Sequence, residues 1–366
     1  MPSLLAHIVT WNSPSCTARC IEALLAQKGF VDGQIKIVLT DNASSNEVPE
    51  KLVKEFAGRL QIFRNNQNLG FCAAHNRGAQ LFLNGPWDYF LIINPDLRLE
   101  KNALFQLMQA LERRPEAGSA CPKLYRADDN LEPIEPRTLD AAGIYMTPTL
   151  RHFDRGSGEI ENGAYDEECF VFGGSGACLL MRRRFVEDML FEAGSAEKVV
   201  ERIYPQLAGD RELRAPLFDE AFFAYREDAD LAWRAQLLGW KCIFVPSAVG
   251  YHKRVVLPER RKHLPAELNL YGVRNRFLLQ LNNFSWQLWR AVVPGLIWRN
   301  MLVVLGAVFK ERSSLPALRQ VVMLGPRALR RRRLVFERRR ERLRGRADGP
   351  SIGRWFNSRP WSEPLE

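Results

Sequence analysis

Three apolar runs in this chain of 366 residues end in compact polar groups, and a fourth segment crowds acids together. Leu4 to Val9 leads into Thr10-Trp11-Asn12-Ser13, and Ile35 to Leu39 into Thr40-Asp41-Asn42-Ala43-Ser44. Tyr89 to Ile93 leads into Asn94-Pro95-Asp96. Between Phe218 and Asp230, five carboxylates fall within thirteen residues: Asp219, Glu220, Glu227, Asp228 and Asp230. Singly, each feature is bland. Asp41 and Asp96 could be turn formers or helix caps, and acids at a helix start sit well in solvent beside the positive end of the dipole. Asp230 fits that second description. Crowded carboxylates, however, repel, and repulsion raises some of their pKa values toward useful base strength. Gly173-Gly174-Ser175-Gly176 either lets backbone approach a ligand where a Cβ would clash, or is a plain turn.

The elements needed to gather these groups are legible. Strands are expected at Leu4–Val9, Ile35–Leu39, Leu60–Phe63 and Tyr89–Ile93. Helices are expected over Ser15–Gln27, Glu47–Ala57, Ala73–Leu83 and Asn102–Arg113. Such alternation, with near-continuous apolar strands, predicts an α/β fold with a mostly parallel sheet covered on both faces. Ligands of such sheets bind beyond the carboxyl ends of the strands, where all three polar groups lie. The pattern loosens between 125 and 220, with a strand at Ala177–Met181 and an insertion around 194–216. A helix over Arg226–Leu238 and a strand over Lys241–Val245 follow, and His252 comes after that strand. A catalytic domain over 1–255 and a helical C-terminal region over 256–366 are expected.

Two ligand classes are excluded. Trp11-Asn12-Ser13-Pro14 lacks the glycines of a dinucleotide fingerprint, and no Walker-type loop occurs. The net charge of +10 is local: Arg327–Arg346 carries eleven Arg and two Glu, leaving the remainder at +1. With no aromatic platform beside it, that run does not read as a nucleic-acid site. Seven scattered cysteines without a Cys-x-x-Cys pair suggest buried thiols in a reducing compartment. The first residues lack a basic signal-peptide region, so a cytoplasmic chain is expected. Phe284–Phe309 holds Trp286, Trp289 and Trp298 among aliphatic residues, interrupted by Pro294, Arg299 and Asn300. That is a poor membrane span. It suits a helix lying on an anionic membrane surface, with a buried hairpin or a dimer contact as alternatives.

In order, Val9-Thr10-Trp11-Asn12, Thr40-Asp41-Asn42-Ala43-Ser44, Asn68-Leu69-Gly70-Phe71 and Asn94-Pro95-Asp96 resemble the blocks of family 2 glycosyltransferases. Gly173-Gly174-Ser175-Gly176-Ala177 and Arg226-Glu227-Asp228-Ala229-Asp230 continue the series, so the resemblance covers about residues 4–254. It implies a GT-A-like fold and inverting transfer of a sugar from a nucleoside diphosphate donor. The nearest-looking subgroup is bacterial rhamnosyltransferases of surface polysaccharides such as O-antigen. By that resemblance the donor is dTDP-rhamnose and the acceptor a lipid-linked or membrane-presented glycan at the inner face of the cell membrane. Thr10, Asn12, Asp41, Asn68, Gly70, Arg77, Asn94 and Gly174 are implied to bind the nucleotide sugar. Asp96 and His252 are implied to hold a divalent cation, Mg2+ or Mn2+, and Asp228, with Glu227 beside it, to be the catalytic base. His75 stands where many relatives carry Arg, leaving Arg77 to meet the diphosphate or to be exposed. Two alternatives are a nucleotidyltransferase, which would need a Gly-rich basic loop after the first strand, and a non-catalytic scaffold on the same fold.

Overall fold

A computed structural model describes residues 2–45, 48–191, 198–208, 216–254, 266–285, 288–343 and 352–365. Its centre is a sheet in which β1 (Leu4–Thr10) pairs in parallel with β2 (Ile35–Asp41) and β4 (Tyr89–Ile93). β2 pairs in parallel with β3 (Leu60–Arg64). The strands β1 and β4 are almost wholly apolar and buried, as central strands covered on both faces must be. Helices α1 (Pro14–Leu25), α2 (Val48–Glu55), α3 (Gly70–Asn84) and α4 (Ala103–Arg113) connect them. In α4 the buried Leu104, Leu107, Met108 and Leu111 recur at helical spacing and make the face that meets the sheet.

The sheet continues from β4 through antiparallel β11 (Cys178–Arg182) to β6 (Ala117–Arg126), then through parallel β12 (Lys241–His252) to β10 (Cys169–Val171). Short β5 (Leu97–Leu99) pairs with β12, and β7 (Leu139–Ala141) with β6. A hairpin of β8 (Ile144–Met146) and β9 (His152–Asp154) stands apart. Two expectations are corrected here. Between the helix expected to end at Arg113 and the looser stretch from 125, where no strand is expected, lies a ten-residue, almost wholly buried strand, β6. The strand starting at Lys241 does not stop at Val245: its pairing with β6 shifts register between Val245 and Val249 and resumes through His252. Pro246 and a bulge interrupt the sequence signal without ending the strand. All seven cysteines are buried free thiols.

Helix α5 (Arg183–Met189), α6 (Lys198–Ile203) within the 194–216 stretch, and α7 (Glu227–Leu237) precede three C-terminal helices. These are α8 (Ala266–Asn283), α9 (Trp289–Phe309) and α10 (Leu315–Arg342). The boundary expected at 255 and Trp286 lie outside the described residues. Beyond α10 the chain returns to the body. Phe356 packs on Trp233 and Phe172, and β13 (Glu363–Pro364) pairs with β10 at the sheet edge.

Part of the Arg-rich run faces inward. Arg327 donates to Asp219 at 2.7 Å, Arg338 to the carbonyl of Asp188 at 3.0 Å, and Arg339 to the carbonyl of Leu237. Arg342 pairs with Asp188 and lies over Trp240. Arg330, Arg333 and Arg340 are exposed. Although burial alone would raise its pKa, the paired Arg327 and Arg331 hold the Asp219 carboxyl well below its ordinary range.

Candidate active site

Strand order reverses between β1 and β4, and the polar groups that follow β1, β2 and β4 share that edge. Thr10 lies opposite Asp41 in the β1–β2 register, and the Asn42 amide donates to the Thr10 carbonyl at 2.8 Å. Asp41 is buried, and its Oδ1 accepts the Ser44 hydroxyl at 2.5 Å. Asn12, at φ +56, accepts the Ser45 amide at 2.8 Å through its side-chain oxygen. Its own amide donates to Ser44 Oγ at 2.9 Å, so the β1 and β2 loops are stitched together. Thr10 is fully buried, with its hydroxyl 2.9 Å from that of Thr17, and steadies the start of α1 rather than facing the crevice.

Asn42 was not singled out in the sequence, yet it is the hub of this edge. Its Nδ2 donates to Asn68 Oδ1 at 2.8 Å and to the Gly70 carbonyl at 3.2 Å. Its Oδ1 accepts from the Leu69 amide and from Asn65, each at 3.0 Å. Asn68 in turn accepts the Gly70 amide at 2.9 Å, so the Asn68-Leu69-Gly70 block builds the start of α3. Arg77 donates to Asn65. His75 is buried against His7, their Nδ1 atoms 2.9 Å apart, and His7 Nε2 lies 2.9 Å from Thr40. Burial lowers both imidazoles, His7 to about 3. His75 is therefore a neutral packing residue and takes no place in diphosphate contacts.

A second group forms where β5 pairs with β12, with Leu97 opposite His252. His252 Nε2 lies 3.4 Å from Asp96 Oδ1 and 3.4 Å from Asn94 Nδ2. Its Nδ1 lies 2.7 Å from Asp140 Oδ2 on β7. Arg254 bridges Asp140 at 3.2 Å and Asp154 at 2.5 Å. Burial would depress the His252 pKa, but Asp140 and Asp96 overcome it and lift it to about 10. Beyond that 3.4 Å ion pair with His252, the buried Asp96 Oδ1 has no hydrogen-bond partner among the described residues. A carboxylate behind an imidazole fixes the ring with Nε2 facing forward, the usual support of a histidine ligand. Among the described residues, no three His, Cys, Asp or Glu side chains gather as a complete metal site. Asp140 and Arg254 went unnoticed in the sequence. Asp140 is far from any motif, and only the β7–β6–β12 pairing brings it to His252.

The third group is a strained turn. Phe223, Tyr225 and Arg226 have φ of +63, +71 and +73. The Ala224 amide donates to the Phe222 carbonyl at 2.8 Å, which makes Phe223 the centre of a γ-turn. Arg226 caps α7, whose first residues are Glu227 and Asp228. Asp228 is half-buried, its Oδ2 accepting the Gly176 amide at 3.1 Å and its Oδ1 the Ala229 amide at 2.7 Å. The next carbonyl, of Ala177, accepts the Asn94 amide at 2.8 Å, so a short backbone path ties Asp228 to the Asn94–Asp96 loop. Glu227 is buried with Oε2 unpartnered, and burial, reinforced by Asp228, pushes its carboxyl well above the usual range. Within the glycine run, Gly176 is the one beside the acids. A Cβ on Gly174 would strike Leu179 and Cys121 at 2.6 and 2.7 Å, so Gly174 serves packing.

Asp230 is corrected. It is wholly buried, accepting from Arg234 at 2.9 Å and from Asn283 at 2.7 Å. The charge that looked solvated at a helix start belongs to a buried pair.

Non-glycine residues at positive φ persist only where surroundings over-determine them. Here α3 and α8 do so. A Cβ on Gly70, at φ +76, would lie 2.6 Å from the Phe223 carbonyl oxygen, which accepts the Cys72 amide at 3.1 Å. On the other side, Asn275 Nδ2 approaches the carbonyls of Phe222, Ala224 and Tyr225 at 2.8–2.9 Å. Arg274 Nη2 donates to the Phe222 carbonyl at 2.8 Å.

The profile of Glycosyl transferase family 2 matches residues 6–190. N-acetylglucosaminyl-diphospho-decaprenol L-rhamnosyltransferase of Mycobacterium tuberculosis is 26% identical over 232 residues, covering 60% of this chain and 67% of that one. GalNAc-T7, solved with UDP, GalNAc and Mn2+, is similar in fold, with a TM-score of 0.55 at 13% identity. The match covers 79% of this chain and half of GalNAc-T7. The GT-A-like fold expected from the sequence is thereby observed.

Asn275 is a positioning residue for the acids. Replacing it with Ala leaves buried carbonyls unmatched, a loss of about 1–3 kcal/mol. We expect Asn275→Ala to lower kcat about 10-fold or more, with donor KM changed less than about 2-fold. Steady-state kinetics check this; a raised KM at unchanged kcat contradicts it.

Proposed function

Because the chain belongs to glycosyl transferase family 2, and is a nucleotide-sugar-dependent glycosyltransferase, we propose that it inverts the sugar it transfers from a nucleoside diphosphate to a lipid-linked glycan. L-Rhamnose from dTDP-rhamnose is the donor we favour, in keeping with the rhamnosyltransferase relative. The observation that carries the reading is Asp228: a half-exposed carboxylate fixed by two backbone amides at the edge where β4, β11 and α7 meet.

In this reading Asp41, with the Asn12–Ser44–Ser45 stitch around it, meets the nucleoside. Asp228 accepts the proton of the acceptor hydroxyl as that oxygen attacks the anomeric carbon and the nucleoside diphosphate departs. Burial, reinforced by Asp228, pushes the Glu227 carboxyl up and so disfavours a second negative charge beside Asp228. Asp96 and His252 fit a divalent cation, Mg2+ or Mn2+, because the buried Asp96 Oδ1 meets only the His252 ring, at 3.4 Å, and Asp140 orients that imidazole. Bound there, the cation would neutralise charge on the departing diphosphate. With one carboxylate and one imidazole supplied by the protein, its other ligands would be diphosphate oxygens.

The C-terminal helices suit a peripheral position on the inner face of a membrane. Ile297, Trp298 and Phe309 of α9 are 63%, 59% and 76% exposed, and the arginines of α10 that do not face the body lie nearby in sequence. No helix among the described residues is long and apolar enough to cross a membrane.

Two outcomes are expected. Asp228→Asn should reduce transfer by at least about 10^3-fold while Mn2+-dependent nucleotide binding, read by calorimetry, stays within about 2-fold. Lost nucleotide affinity with normal turnover would rule out the base assignment. Changing Ile297, Trp298 and Phe309 together to Ser should release the protein from anionic phospholipid vesicles in a sedimentation assay, and unchanged sedimentation would exclude α9 as the contact.

A further inference from the structure

Four guanidinium groups from four elements gather beside the strained turn. Arg151 lies in the β8–β9 turn with its guanidinium 4.4 Å over Phe153, and Arg226 caps α7 with Nη1 3.2 Å from His152 Nδ1. Arg276 on α8 donates through Nη2 to the Thr149 carbonyl at 3.2 Å and through Nε to Asn300 Oδ1 at 3.1 Å. Arg299, next to Asn300 on α9, keeps a buried Nε without a hydrogen-bond partner. Thr149 to His152 thus links Arg151, Arg226 and Arg276, and Arg299 adjoins them through its neighbour Asn300, which accepts from Arg276.

We propose that Arg151, Arg226, Arg276 and Arg299 form a subsite for the diphosphate head of a polyprenyl-diphosphate acceptor, whose apolar chain runs along α9. The proposal rests on the glycosyl-transfer reading above. Among the described residues Arg276 donates only to neutral oxygens, so no acid neutralises it directly. Burial first, then Arg226, Arg299 and Arg151, lowers its pKa to about 9. Like charges held together at partial burial are relieved by a polyvalent anion, and planar guanidinium forks match phosphate oxygens. The location selects the anion's source. Arg226 immediately precedes Glu227 and Asp228, and its Nη1 lies against His152, next to Arg151. Asp41 lies at the carboxyl end of β2, on the β1–β2–β4 edge, whereas these arginines come from the β8–β9 turn and from α7, α8 and α9. Arg299 is flanked on α9 by the exposed Ile297, Trp298, Met301 and Leu302. An anion there with an apolar tail meets charge and hydrocarbon surface side by side.

Calorimetric titration of the full chain with farnesyl diphosphate, and separately with dTDP and Mn2+, tests this. Wild type should bind both, and excess inorganic pyrophosphate should displace farnesyl diphosphate. Arg276→Gln combined with Arg299→Gln should weaken farnesyl diphosphate about 10-fold or more and leave dTDP within about 2-fold. The corresponding Lys substitutions should recover most of the affinity, which separates lost charge from lost folding. Equal weakening of dTDP would assign the arginines to the donor and overturn the proposal. Unchanged farnesyl diphosphate binding in the Gln variant, failure of pyrophosphate to compete, or no farnesyl diphosphate binding by wild type would overturn it too. If dTDP still binds in those cases, the glycosyl-transfer reading stands without it. Binding of neither ligand would sink both.

Discussion

Three carbonyl oxygens that point into a tight left-handed turn converge on one amide nitrogen, Asn275 Nδ2. That convergence is the constraint on which the site depends. A γ-turn at Phe223 followed by two more residues at positive φ is unfavourable on its own, by roughly 1–3 kcal/mol per residue. It is retained because α8 satisfies its carbonyls from one side and the start of α3 closes on it from the other. Tyr204 and Tyr271 flank the Phe223 ring with centroids 4.8 and 5.4 Å away. The direction in which α7 sets out, and hence where Glu227 and Asp228 point, follows from this turn.

Behind the turn lies an ionic core that joins the C-terminal helices to the catalytic body. Asp219 accepts from Arg327 on α10 and Asn282 on α8, and Asp230 accepts from Arg234, Asn282 and Asn283. Removing one member would strand a buried charge, which costs far more than a surface pair contributes. The C-terminal helices are therefore structural partners of the site as well as candidates for a membrane contact. Their outward residues are free for other work: the apolar side chains of α9 and the arginines of α10 that turn away from the body.

The legible parts of the sequence were those in which local pattern and global fold agree. β1, β2 and β4 are short apolar runs, and the groups after them stand at the carboxyl edge where a parallel sheet must place them. The sequence pattern of β12 breaks off at Val245 because Pro246 and the following bulge mimic an ending. Asp230 reads as solvated in the sequence because acids in a first helical turn look the same whether they meet solvent or a buried arginine four residues on. Asp140, Arg254 and Asn275 carried no motif, since sheet pairing and helix packing bring them to the site from positions distant in sequence. A signal for Asn275 did exist: Arg274, Asn275, Gln280, Asn282 and Asn283 make α8 polar on residues that prove buried. A helix of that composition needs polar groups to satisfy.

If α8 holds the acids in place, backbone exchange should report it directly. Hydrogen–deuterium exchange over residues 222–229, compared between wild type and Asn275→Ala, is the decisive measurement. Exchange in the variant should be faster in that turn and at the start of α7 only, with the central strands still protected. Unchanged exchange there would contradict a clamp that positions Glu227 and Asp228.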